Sequence, residues 1–392
     1  MNEDKAARYH RLRRRAVVLA AAWRVFLLAF LLISGLGASL RDGAAAAVQP
    51  FPAILQFPMT VVAWVTAVLV LHDLGALPMV FFAGFVLEKR YGLSRQPARS
   101  WLREHVKAAA VNLALVGAAA AWTYSWIAVA PQLWWLPAWA GMAAAGVVTA
   151  WAAPVVLLPL FFRFAPLADG PLRQRLLRLA ARAGVPALGV FEWRTSDRTS
   201  RANAALTGIG RTRRIILTDT LLADYKPEEV EAVLAHEMAH HMNHDVWKGL
   251  AADALASLAA LLAADLALRA AAGPARLEGL SDPAGLAVAG LAMTAVAWLA
   301  SPLQNAVSRS HERKADRAAL GLTLDPGAFV SAMRRLGARN LAEASPSPLT
   351  RLFFHTHPSI DERIACARAW EREERRRTGA APAAGGLRGG EA

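Results

Sequence analysis

Six long apolar runs, at about 16–40, 57–87, 108–130, 133–162, 250–268 and 286–306, set the frame of this 392-residue chain. Each matches the roughly 18 to 20 residues that a helix needs to cross a bilayer. Lys5, Arg8, Arg11, Arg13, Arg14 and Arg15 precede the first run, which is longer than the core of a cleaved signal peptide. It reads as a first membrane span entered from the positive, cytoplasmic side. The second run ends in Glu88-Lys-Arg90, and the fourth delivers the chain to Arg163, so the spans return to basic segments. The intervening outer loops hold few basic residues, Arg41, Arg269 and Arg276. Six spans put both polar segments on one face.

The first polar segment opens with helical periodicity from Leu172 to Ala183, stopped at Gly184-Val-Pro186. Two β-rich runs follow, at 189–193 and 202–207. The turn Gly208-Ile-Gly-Arg-Thr212 then leads into a third, 214–218, which predicts a small hairpin beside a helix. Pro227-Glu-Glu229 suits a first helical turn. His244-Asp-Val-Trp-Lys248 carries that helix into the fifth apolar run without a breaker, which makes the two continuous. The expected organisation is a four-span region at 1–162, a polar module at 163–247, a two-span hairpin at 248–306, a second part of the module at 307–371, and a disordered tail at 372–392. No internal repeat is apparent.

Composition sharpens this picture. At 55% hydrophobic, the chain is too apolar for a soluble domain of its length. The net charge of +14 sits at the ends of apolar runs and in the polar module, a placement that membrane topology explains and a nucleic-acid surface does not. With Cys366 the lone cysteine, neither an intrachain disulfide nor a cysteine-based metal site can form.

The chemistry lies in Val233-Leu-Ala-His-Glu-Met-Ala-His-His241. Helical residues four apart share a face, so His236 and His240 can aim two imidazoles at one ion beside Glu237. This HExxH spacing suits Zn²⁺: two neutral nitrogen ligands leave the ion Lewis acidic, and the adjacent carboxylate can carry a proton from water to a leaving amine. Surface histidines on an amphipathic helix are the bland alternative. A third ligand is still needed. The solution with a third His ten residues after the first fails, because Val246 stands there. In Ser308-Arg-Ser-His-Glu-Arg-Lys-Ala-Asp316, Glu312 and Asp316 lie one helical turn apart just after the sixth span returns to the same face. One of them can bind the metal while the other orients a ligating imidazole, unless both belong to an ordinary charged helix.

The sequence resembles the CAAX prenyl protease family, the type I CAAX endopeptidases and their bacterial homologues, over roughly residues 75–370. The likeness rests on Phe85-Val-Leu-Glu-Lys-Arg-Tyr-Gly-Leu93, Pro159-Leu-Phe-Phe-Arg-Phe-Ala-Pro-Leu167, Ser200-Arg-Ala-Asn-Ala-Ala-Leu-Thr-Gly-Ile-Gly210 and Arg214-Ile-Ile-Leu-Thr-Asp-Thr-Leu-Leu222. The HExxH helix, Ser308-Arg309 with Glu312 and Asp316, and Thr356-His-Pro-Ser359 before Arg363 complete it. The resemblance implies a mainly α, polytopic membrane barrel around a chamber, with a gluzincin-like zinc module at its cytoplasmic end, in a bacterial inner membrane. It further implies zinc held by His236, His240 and Glu312, with Glu237 as general base and Asp316 behind a ligand. Asn203 and Arg363 would contact the substrate, and His357 would stabilise the oxyanion or position the peptide. The implied partners are membrane lipid and a peptide or protein substrate, membrane-associated or lipidated, with no nucleic acid. Two alternatives remain open: a quality-control protease related to the heat-shock membrane proteases, and a transporter or scaffold with an incidental HExxH.

Overall fold

The computed structural model describes residues 4–185, 189–271 and 277–379. Helix α1 (Lys5–Ile33) begins before its apolar run and stops at Gly35, whose φ of 76° breaks the helix. The short α2 (Leu36–Val48) occupies what the hydropathy pattern left as the end of the first span. Next, α3 (Ala53–Phe81) continues through a π-helical turn into α4 (Leu87–Arg90), followed by α5 (Ala98–Val129). The fourth span is α6 (Trp135–Ala152), joined by a second π turn to α7 (Leu158–Phe161).

A four-stranded sheet begins at β1 (Arg163–Pro166) and, after α8 (Pro171–Arg182), takes in β2 (Val190–Arg194), β3 (Ala204–Thr207) and β4 (Arg214–Thr218), in the order β1-β2-β4-β3. The expected hairpin is therefore one part of a mixed sheet. β3 and β4 form it, β2 adds parallel to β4, and β1 adds antiparallel to β2. β1 escaped the sequence pattern because Arg-Phe-Ala-Pro has no strand-like alternation of its own and is held by pairing. At the hairpin turn Gly208 has φ 95°, and a Cβ there would lie 2.6 Å from the Thr212 carbonyl.

After α9 (Asp219–Asp224), α10 (Pro227–Met242) carries the HExxH residues; Pro227 takes the first helical position, and the Glu229 carboxylate accepts the Lys226 N–H at 2.9 Å. The helix does not run on into the fifth span. It ends at Met242, His244 turns the chain at φ 57°, and α11 (Asp245–Ala271) starts afresh. Histidine tolerates that left-handed conformation better than most residues, which is why no Gly or Pro marked the break. The sixth span is α12 (Leu286–Thr323), followed by α13 (Pro326–Arg339), α14 (Pro348–Phe354) and α15 (Ile360–Thr378). Since α15 persists to Thr378, the expected tail starts later than residue 372, and its remainder from 380 lies outside the described residues.

Among the described residues, six helices are long and apolar enough to span a membrane. In contact order α1, α3, α5, α6, α11 and α12 close a ring, with α12 returning to α1. At the end of the ring away from the sheet, all six share one apolar core that includes Trp64, Tyr124, Ala138 and Leu261. Elsewhere the spans leave large apolar side chains such as Phe26, Leu74, Trp151 and Leu266 exposed, as hydrocarbon contact requires. A second core joins α8, the sheet, α10, α13 and α15. Its centre is α10, where Val230, Leu234, Ala235 and Met238 are buried, so the HExxH helix is gripped from nearly every side.

Candidate active site

Three elements build the centre. His236, Glu237 and His240 project from α10, Glu312 and Asp316 from the C-terminal half of α12, and Asp245 from the first turn of α11. His236 Nε2 lies 3.3 Å from Glu312 Oε2, and His240 Nε2 lies 3.3 Å from Glu312 Oε1. One ligand atom from each of the three falls within 4.8 Å of the others.

Each imidazole is backed by its own carboxylate. Asp316 Oδ1 is 2.9 Å from His236 Nδ1, and Asp245 Oδ2 is 3.0 Å from His240 Nδ1. Protons on the two Nδ1 atoms leave both Nε2 lone pairs aimed at the Glu312 carboxylate, so acceptors converge on one point. Among the described residues, Glu312 Oε2 is accordingly buried without a hydrogen-bond partner. A cation satisfies this donor set: two nitrogens and one oxygen, with room for a further ligand. Protonating the imidazoles is the other way to relieve the convergence. Burial alone would lower the His240 pKa, but hydrogen bonds to Glu312 and Asp245 outweigh it and raise it to about 9. His236 is raised too, the adjacent Asp316 and Glu312 carboxylates overcoming burial and the nearby Arg363 charge.

Arg363, on α15, donates through Nε and Nη2 to both Asp316 oxygens, at 3.0 and 2.5 Å. The same Nη2 is 3.1 Å from His236 Nδ1, but with that nitrogen's proton given to Asp316 the contact is packing and not a second hydrogen bond. Glu237, half-buried beside the pair, has its pKa pushed up chiefly by desolvation. His357 stands on the turn before α15, its side chain 61% exposed and its Nε2 3.2 Å from Glu312 Oε1. The Thr356 hydroxyl is 2.8 Å from its Nδ1, which leaves Nε2–H as the donor facing the centre. Asn203 lies just before β3, bound to β4 through its backbone, with its side chain exposed. A cavity of about 350 Å³ joins these groups: Asn203, Ala204, Glu237, His236, His357 and Arg363 all line it.

Sequence reasoning missed two contributors. Asp245 follows His240 by five residues, and only the turn at His244 brings it back to the ring. Arg309, buried one helical turn before Glu312, donates to the carbonyls of Arg351 and His355 at 3.0 and 2.6 Å and so fixes the turn that carries His357. The Ser308-Arg309 pair was a visible signal, but its role needs α14 in place.

A ring of membrane helices capped by a buried HExxH helix that meets a distant glutamate is the architecture of an integral-membrane metalloprotease. The comparisons agree. The model of peptidase family M48 matches residues 166–371, and that of the CAAX prenyl protease N-terminal region, described as five membrane helices, matches residues 2–163. The chain belongs to peptidase family M48. It is 32% identical over 353 residues to a Bacillus subtilis (strain 168) protein named uncharacterized metalloprotease YhfN, covering 89% of this chain and 80% of that one. It is 28% identical over 308 residues to the CAAX prenyl protease 1 homolog of Oryza sativa subsp. japonica, covering 77% and 72%. The crystal structure of S. mikatae Ste24p shares the fold at a TM-score of 0.79 and 21% identity, over 93% of this chain and 87% of that one. With α3–α4 and α6–α7 each counted as one continuous helix, four of the five helices described between residues 5 and 161 reach spanning length, and α2 is too short.

Proposed function

We propose that this protein is a zinc endopeptidase that cuts membrane-associated or C-terminally modified, CAAX-like proteins at the cytoplasmic face of a bacterial inner membrane. The observation that carries this reading is the convergence of His236, His240 and Glu312, each imidazole steered by its own carboxylate, beside the half-buried Glu237. These three residues would hold zinc, which when bound supplies a Lewis acid for the hydrolysis of an amide.

Glu237 takes a proton from the attacking water and delivers it to the leaving amine; its raised pKa suits both transfers. His357 donates its Nε2–H to the carbonyl oxygen as negative charge develops there. Asn203 and the edge of β3 hold the substrate backbone in extended form. Arg363 acts through Asp316, which keeps His236 in the tautomer that presents Nε2. The proposed sidedness is supported by contacts of the basic first turns of α1 with the peptidase half. Arg14 pairs with Glu343 at 2.5 Å, His10 reaches the Leu341 carbonyl, and Tyr9 meets Arg201 and Glu88. The positive segment and the cavity therefore share one face, which the positive-inside rule makes cytoplasmic.

The test is Glu237→Gln in the purified full-length protein. Bound zinc should stay at the wild-type level while peptide hydrolysis falls by about three orders of magnitude or more, the scale of losing a general base. Unchanged turnover removes Glu237 from the mechanism. Membrane proteins that accumulate uncut in cells carrying this variant identify the substrates.

A further inference from the structure

We propose that the outer edge of β3 accepts one residue of an extended peptide, at Ala204, and that Asn340 and His241 impose that limit. This rests on the peptidase reading above. The register with β4 turns Asn203, Ala205 and Thr207 inward to the ladder, which leaves the backbone groups of Ala202, Ala204 and Leu206 facing out. Asn340, just after α13, closes the first of these. Its Oδ1 accepts the Ala202 N–H at 3.3 Å and its Nδ2 donates to the Ala202 carbonyl at 3.1 Å. One carboxamide thus makes both bonds that a residue of a partner strand would make. Arg339 takes the Ser200 carbonyl one step further back.

At the other end His241 Nε2–H reaches the Leu206 carbonyl at 2.9 Å. Among these three outward positions only Ala204 keeps both its N–H and its C=O open, and it lines the same cavity as Glu237 and His236. A peptide pairing there is held next to the metal ligands, and its neighbours on either side must leave the edge. Asn340 and His241 are positioning residues that set how much of a substrate the strand can grip.

Asn340→Ala reopens Ala202 as a second pairing position. Binding is read by fluorescence anisotropy with the full chain in detergent, in the Glu237→Gln background, using labelled alanine-rich tetrapeptides and decapeptides. The decapeptide should bind about three- to tenfold more tightly when up to two backbone bonds are gained, while the tetrapeptide is unchanged. Asn340→Asp, which keeps the acceptor and loses the donor, should fall between. Two results overturn the proposal: an unaltered ratio of the two dissociation constants in variants that keep their thermal midpoint, or a parallel weakening of both peptides, the mark of a purely structural Asn340. If the parent protein binds neither peptide, strand addition at Ala204 is overturned, while the peptidase reading is tested separately by the loss of hydrolysis in Glu237→Gln.

Discussion

Replacing Asp245 with asparagine isolates the orienting carboxylate from the ligands. Its side chain is 7% exposed, with Oδ2 3.0 Å from His240 Nδ1 and Oδ1 3.3 Å from Lys248 Nζ. Asparagine keeps the shape, but it removes the negative charge that makes the imidazole a better ligand and brings an N–H₂ that can only donate. Losing such a partner generally lowers metal affinity 10- to 100-fold, about 1.4 to 2.8 kcal/mol. His240 is 21% exposed, so water can supply part of what the carboxylate gave, and the expected loss is about tenfold. Competition for zinc against a chromophoric chelator, with the full-length protein in detergent micelles, measures it directly. The thermal midpoint of the chelated protein should drop only slightly, because Asp245 also sits favourably at the N-terminus of α11. A dissociation constant within twofold of the parent, in a folded variant, refutes the idea that Asp245 steers His240.

Asp316→Asn should weaken zinc at least as much, since it also leaves Arg363 without its buried partner, and the chelator competition would show it. Arg309→Ala should leave zinc content intact and lower the turnover number several-fold, because the turn bearing His357 loses two carbonyl contacts; unchanged turnover argues that His357 is held otherwise. The chelated protein should lose stability as pH rises. His240 titrates near 9 when folded and near 6.5 when unfolded, so between those values the folded form binds more protons, and the contribution, complete below 6.5, is gone above about 9. A thermal midpoint that is flat or rising across that window contradicts the assigned hydrogen bonds, whereas zinc affinity should increase with pH, because the ligands must be neutral.

The membrane part of the fold is nearly explicit in the sequence, because a run of apolar residues long enough to cross hydrocarbon has few other uses. The pairing of α10 with Glu312 follows from HExxH spacing and from a two-span excursion that must come back to its starting face. What stayed hidden depends on partners distant in the chain or on conformations without a residue signature. β1 exists through its pairing with β2, Asn340 matters only where α13 ends against Ala202, and Asp245 reaches His240 only because His244 turns left-handed. Arg363 illustrates the same limit: the resemblance implied contact with substrate, and α15 places its guanidinium both at the cavity wall and on Asp316, a contact no spacing in the sequence shows.

One zinc ion is expected to join α10 to α12, held by His236, His240 and Glu312. X-ray diffraction from crystals of the full-length protein, recorded across the zinc absorption edge, tests it most directly. The account predicts a single anomalous peak about 2 Å from the Nε2 atoms of His236 and His240 and from a Glu312 oxygen, absent in Glu312→Ala. A peak elsewhere in the molecule, or one of full strength between the two histidines in that variant, contradicts it.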